Sequence, residues 1–291
     1  MNQELIKRLR EKESKMIEIR RYLHEHPELS FHETETPQYI ADFYKEKDCD
    51  VETNVGPNGV KVTIDSGKPG KTIAIRADFD ALPIEEQTGL SFASKNKGVM
   101  HACGHDAHTA YMLILGETLI EMKEQFKGKV VIIHQPAEEM PPGGAQGMIK
   151  DGVLDGVDHV LGAHVMSTME AGKVFYKEGY VQTGRAYFKL VVQGKGGHGS
   201  SPHMANDAIV AGSNFVTTAQ TVVSRRLNPF ETGVVTIGSF DGKGQFNVIK
   251  DQIEIEGDVR ALTDQTRDTI QQELTRIVKG IEETFGVTCE F

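Results

Sequence analysis

Three short segments gather side chains able to hold a metal ion. The first, MHACGHDAH at residues 100–108, stands where a helix should begin. The second, HQPAEE at residues 134–139, leaves a continuous apolar run, and the third, GAHV at residues 162–165, sits on another. Thiolate, imidazole and carboxylate together suit Zn²⁺ or a neighbouring first-row ion, and a thiolate can bridge two ions. Adjacent Glu138 and Glu139 can divide two roles, one carboxylate coordinating and the other free as a base. That combination is hydrolytic. A bound metal lowers the pKa of water towards about 7, and a free carboxylate takes the proton and returns it to a leaving amine. Taken singly, each segment has a plainer reading. The histidines could mark a helix entry or a surface cluster, Cys103 could be a small buried hydrophobe, and the Glu pair could be solvated.

The elements that would position these residues follow from periodicity. Apolar residues at Leu5, Ile6, Leu9, Met16, Ile17, Ile19 and Leu23 predict a charge-rich amphipathic helix over residues 3–24, stopped by Pro27. A second helix is expected after a Thr34 or Thr36 cap, with Pro37 in its first turn. Residues 59–64 and 71–77 read as neighbouring strands joined by the DSGKPG turn. A helix is expected over 105–126. Residues 130–133 and 160–165 read as strands buried on both faces. In such an α/β layered domain, ligands bind outside the carboxyl ends of strands, so the three segments can converge.

From residue 184 the texture changes. Strands at 187–193, 233–239, 252–259 and 286–291 alternate with long helices at 203–226 and 263–285. The order β-α-β-β-α-β is the split βαβ (ferredoxin-like) pattern of a small α+β domain. The expected division is therefore residues 1–183 and 184–291.

Composition narrows the function classes. The 291 residues carry 38% hydrophobic and 25% charged side chains, as a globular chain does. A net charge of −10 argues against nucleic-acid binding, which needs a basic surface. No apolar run is long enough for a membrane helix, and the charged N-terminus lacks a signal-peptide core. Three cysteines, Cys49, Cys103 and Cys289, make no disulfide framework and point to the cytoplasm. Without a C-x-x-C pair, a redox role for Cys103 is weak.

The blocks RADFDALPIEE (76–86), MHACGHDAH, QPAEE, GAHV and GKGGHGSSPH (194–203) resemble, in order, the amidohydrolase branch of the M20 metallopeptidases. That branch includes hippurate hydrolases, N-acyl-amino-acid amidohydrolases, auxin-conjugate hydrolases and N-acetyldiaminopimelate deacetylases. The resemblance runs from about Tyr22 to the last residue. It implies a layered α/β zinc-peptidase-like catalytic domain and a dimerisation or lid domain. It also implies hydrolysis of N-acyl amino acids by a cytoplasmic homodimer paired through residues 184–291. Two divalent ions per subunit are implied, Zn²⁺ foremost, with Mn²⁺, Co²⁺ or Ni²⁺ accepting the same ligand types. Cys103, His105, Glu139 and His164 would be metal ligands, with Cys103 the bridge, and Glu138 would be the general base. Asp78 would be a supporting carboxylate, and Arg76 would not be a ligand. His198 would reach a partner's site and help stabilise an oxyanion. Asn247 and Arg260 would hold the substrate carboxylate. From the residues alone, Arg260 reads equally as a surface charge, His198 as a turn residue and His203 as a helix start.

The resemblance also implies further strands and a last metal-binding His beyond the lid domain, and no His follows His203. The expectation is therefore an incomplete catalytic domain with four ligands, suited to one ion rather than a full two-metal clamp. The alternative function is an inactive homologue that only dimerises.

Overall fold

The computed structural model describes residues 2–291 and divides into two compact units, one reaching to Ala171 and the other running from Gly172 to Phe291. In the first unit the expected opening helix is two helices, α1 (Asn2–Glu11) and α2 (Glu13–Glu25). The break falls at Lys12, where φ −100° and ψ 7° leave helical geometry. The Lys12 ammonium there pairs with Glu117, 3.2 Å away, and with Glu121. Helix α3 (Glu35–Tyr44) starts after Thr34, but neither expected threonine hydroxyl caps it. Glu28 does so instead. Its carboxylate accepts from the N–H groups of Thr34, Glu35 and Thr36 at 2.8–3.1 Å, placing an anion at the positive end of the helix dipole.

The sheet comprises β1 (Asp50–Val55), β2 (Gly59–Asp65), β3 (Thr72–Asp78), β4 (Lys129–Gln135) and β5 (His159–Gly162), with α4 (His105–Glu121) and α5 (Gly144–Lys150) between its later strands. Its order is β1-β2-β4-β3-β5. The expected β2–β3 neighbours are therefore separated by β4, antiparallel to β2 and parallel to β3. The physical reason is burial. Strand β4 is buried from Val131 to Gln135, and pairing β2 directly with β3 would push that apolar strand towards an edge. A second correction concerns β5, which is shorter than expected and exposed along its whole length as the edge strand beside β3. One face of the sheet packs Val60, Val62, Ile64 and Ile132 against Leu23, Ile40, Tyr44, Leu113 and Ile114. The other face packs Ala74, Val131 and Ile133 against Met148 and Val153.

The second unit contains β6 (Gly184–Gln193), β7 (Gly197–His198), α6 (Ala208–Arg225), β8 (Gly233–Asp241), β9 (Val248–Ile249), β10 (Gln252–Ala261), α7 (Asp264–Phe285) and β11 (Thr288–Glu290). The main sheet has the order β11-β6-β10-β8 and is antiparallel throughout, the split βαβ arrangement. Residues on β10 alternate between core and partial exposure, and Ile253, Ile255 and Val259 meet Phe215, Ile270 and Leu274. Helix α6 begins later than expected because Asp207 caps it, accepting from the N–H groups of Ile209 and Val210. His203 lies instead on a short 3₁₀ turn, Pro202–Met204.

Candidate metal centre

Strands β3 and β4 run parallel, so their carboxyl ends share one edge of the sheet, and α4 opens beside them. Gly104 makes that opening possible. Its φ of +92° favours glycine, and an added Cβ would lie 2.4 Å from Val165 Cγ2. The turn places Cys103 and His105 side by side.

Ligand atoms of Cys103, His105 and His164 lie within 4.8 Å of one another, as do those of His105, Glu138 and Glu139. His105 therefore joins the two groups. The Cys103 Sγ is 3.4 Å from His164 Nε2, and His105 Nε2 is 4.0 Å from Glu139 Oε1. Both histidines turn Nδ1 to a backbone carbonyl, His105 to Asp80 at 2.9 Å and His164 to Val165 at 2.6 Å. A neutral ring donating at Nδ1 keeps its lone pair on Nε2, the usual preparation of a metal-ligating imidazole. His105 Nε2 and Glu139 Oε1 are buried with no hydrogen-bond partner. Such unpaired atoms cost about 1–3 kcal/mol each, and a divalent cation among them would satisfy them. The donor set fits a metal.

Asp78, His105 and His108 form a third close group, but His108 has no nitrogen to offer. Its Nδ1 faces Asp78 Oδ1 at 2.6 Å, and its Nε2 accepts from the Val165 N–H at 2.9 Å. Asp78 Oδ2 also lies 2.5 Å from Arg76 Nη1. This row ties β3 to the segment carrying His164. Burial pushes the Asp78 pKa up, but the His108 hydrogen bond and the charges of His105 and Arg76 outweigh it and hold the group well below the carboxylate range. Burial, then the charge of Glu139, pushes the Cys103 thiol up to about 12, a penalty that a bound cation would reverse. Burial and Glu139 also raise the Glu138 pKa. Glu138 is exposed whereas Glu139 is half-buried.

Asp80 was not among the expected site residues. Its Oδ1 lies 3.2 Å from His105 Nδ1, and its Oδ2 accepts from Ser30 Oγ and the Glu139 N–H at 2.7 and 2.9 Å. The i, i+2 spacing of Asp78 and Asp80 along extended chain was its only local signal.

Three expected site residues belong to the second unit. His198 is exposed on β7, with Nδ1 2.8 Å from Ser200 Oγ. Asn247 adjoins it, its carbonyl accepting from the Gly199 N–H at 2.9 Å. Arg260 donates to Asp258 Oδ2 at 2.6 Å.

No helix among the described residues is long and apolar enough to cross a membrane. Residues 74–289 match the model of Peptidase family M20/M25/M40. The chain superposes with a TM-score of 0.94 on a provisionally named aminohydrolase from methicillin-resistant Staphylococcus aureus. That protein is 79% identical, and the match covers 100% of this chain and 77% of that one. The YXEP protein of Bacillus subtilis, described as a dinuclear metal-binding peptidase of the M20 family, is 36% identical with a TM-score of 0.78, covering 95% and 72%. An N-acyl-L-amino acid amidohydrolase from Geobacillus stearothermophilus is 41% identical over 100% of this chain and 79% of its own length. The chain belongs to Peptidase family M20/M25/M40, as a metal-dependent amidohydrolase.

Proposed function

We propose that this protein hydrolyses the amide bond of small N-acyl amino acids, with Cys103, His105, Glu139 and His164 holding Zn²⁺ and Glu138 acting as general base. The observation that carries the reading is the set of buried unpaired atoms on His105 and Glu139 beside exposed Glu138. It is supported by relatives named N-acyl-L-amino acid amidohydrolase and, from Bacillus subtilis, N-acetyl-L-cysteine deacetylase.

When bound, a divalent metal makes water acidic enough to yield hydroxide near neutral pH and polarises a carbonyl. The residues of this chain do the rest. Glu138 takes the proton of the attacking water and delivers it to the departing nitrogen, and its raised pKa suits both halves of that task. Asp80 holds His105 through Nδ1 and Glu139 through its N–H. Asp78 anchors His108, which fixes the Val165 N–H next to His164. In this reading residues 1–183 carry the chemistry and residues 184–291 pair two subunits. His198 reaches the partner's site, and Asn247 and Arg260 bind the substrate carboxylate. A cytoplasmic setting agrees with three unpaired cysteines.

Glu138→Gln tests the assignment. It should retain stoichiometric metal while turnover of N-acetyl amino acids falls about 10²–10⁴-fold. Normal hydrolysis by that variant would remove Glu138 from the mechanism.

A further inference from the structure

The chain bends sharply between Gln135, the last residue of β4, and the Glu138–Glu139 pair. Ala137 takes the bend at φ +50°, a left-handed conformation that a residue with a side chain adopts only when its surroundings impose it. It is wholly buried, and its carbonyl accepts from the Gly144 N–H at 2.9 Å. Its own N–H donates to Glu33 Oε1 at 2.8 Å. Glu33 comes from a turn 104 positions earlier and is only 1% exposed, with Oε2 lacking any hydrogen-bond partner. Burial, with the charges of Asp80 and Glu28 adding to it, raises the Glu33 pKa to about 7. Beyond its own backbone N–H, the carboxylate so placed bonds the Ala137 N–H. Ser30, three residues earlier, supports Asp80, which in turn receives the Glu139 N–H. The turn at residues 30–33 thus grips the Glu138–Glu139 segment at two points.

Resting on the hydrolytic reading above, we infer that Glu33 is a positioning residue of the active site. Its buried carboxylate holds Ala137 in the left-handed turn that directs Glu138 and Glu139 towards His105. The buried carboxylate oxygen gives the buried Ala137 N–H the acceptor it would otherwise lack, which offsets the cost of the turn. Glu33 touches neither substrate nor metal in this role.

The test compares Glu33→Ala, Glu33→Gln and Glu138→Gln in the full-length protein, by zinc competition titration, kcat and KM for an N-acetyl amino acid, and thermal unfolding of the metal-free form. Loss of a group that orients a metal ligand costs about 10–100-fold in metal affinity or activity. Glu33→Ala should therefore weaken zinc binding and lower kcat at saturating zinc by about that factor, with KM little changed and the metal-free protein still folded. Glu33→Gln keeps an oxygen for the Ala137 N–H and should recover most of both. A folded Glu33→Ala protein with wild-type zinc affinity and kcat would overturn the inference. Should Glu33→Ala not fold, Glu33→Asp, which withdraws the carboxylate by one methylene, replaces it under the same criteria. Glu138→Gln separates the two claims. If it loses turnover while Glu33→Ala does not, only the positioning role fails. If it keeps turnover, Glu138 is not the general base; if the wild-type protein itself shows no turnover, the hydrolytic reading fails, and zinc affinity alone decides the role of Glu33.

Discussion

Of the sixteen buried polar or charged side chains among the described residues, fifteen lie in the first unit, and the second buries Thr266 alone. Core polarity is costly unless every group finds a partner, so the contrast marks where the fold has accepted that cost. In the first unit the buried groups are carboxylates and imidazoles in contact, Asp78 with His108 and Asp80 with His105, and some still lack a partner. The second unit encloses an aliphatic core around Phe215, Ile253 and Leu274 and carries His198 and Asn247 on its surface. One unit is organised around an unmet electrostatic demand, the other around packing.

The largest effect that could break this contrast is metal removal. Chelation should reduce amide hydrolysis to background, and hydrogen exchange should rise in the first unit but not in the second. At free metal of 100 times Kd the stabilisation forfeited is about 2.7 kcal/mol. Uniform change across both units would erase the distinction. Leu274→Ala should act in the reverse direction, costing about 2–5 kcal/mol in the second unit's unfolding while zinc affinity stays constant. Asp80→Ala should sharpen the picture by weakening zinc about 10–100-fold in a titration, since it releases the Glu139 N–H and leaves His105 Nδ1 only the backbone carbonyl of residue 80. Unaltered affinity would show that the buried carboxylate does not serve the site.

A smaller, pH-dependent effect follows from two buried histidines of the first unit. Burial holds His101 near about 4 and His134 near about 3, below the ordinary histidine value of about 6.5. Between pH 6.5 and these values the unfolded chain binds protons that the native state refuses, so stability falls as pH falls. His101 and His134 should therefore each lower the stability of the metal-free first unit as pH falls from 6.5 to 4, with Glu33, whose raised pKa acts in the opposite direction, offsetting part of the loss. His134→Gln should make the fall less steep in denaturant titrations. A slope unchanged in the variant would refute the contribution of His134.

Much of this architecture is legible in the sequence, for reasons particular to each element. The second unit reads cleanly because β10 alternates strictly, with Ile253 and Ile255 inward, and because long helices separate its strands. The sheet order of the first unit does not, since only β4's burial, a property of the whole fold, sets it between β2 and β3. Strand β1 escapes the sequence reading because its residues, DVETNV, are polar and only Val55 is buried. In the candidate site, close spacing exposes Cys103 with His105 and Glu138 with Glu139. Asp80 offers only its i, i+2 spacing from Asp78 and Glu33 offers none, because each binds a backbone N–H at least 59 positions away, and no local pattern encodes that.

The account rests on Cys103, His105, Glu139 and His164 sharing a divalent cation, and anomalous diffraction from a zinc-loaded crystal tests it most directly. It predicts a peak about 2.3 Å from Cys103 Sγ and about 2.0–2.2 Å from His105 Nε2, a Glu139 oxygen and a His164 nitrogen. A zinc-soaked crystal with no peak there, or with those side chains turned apart and the ion bound elsewhere, would contradict it.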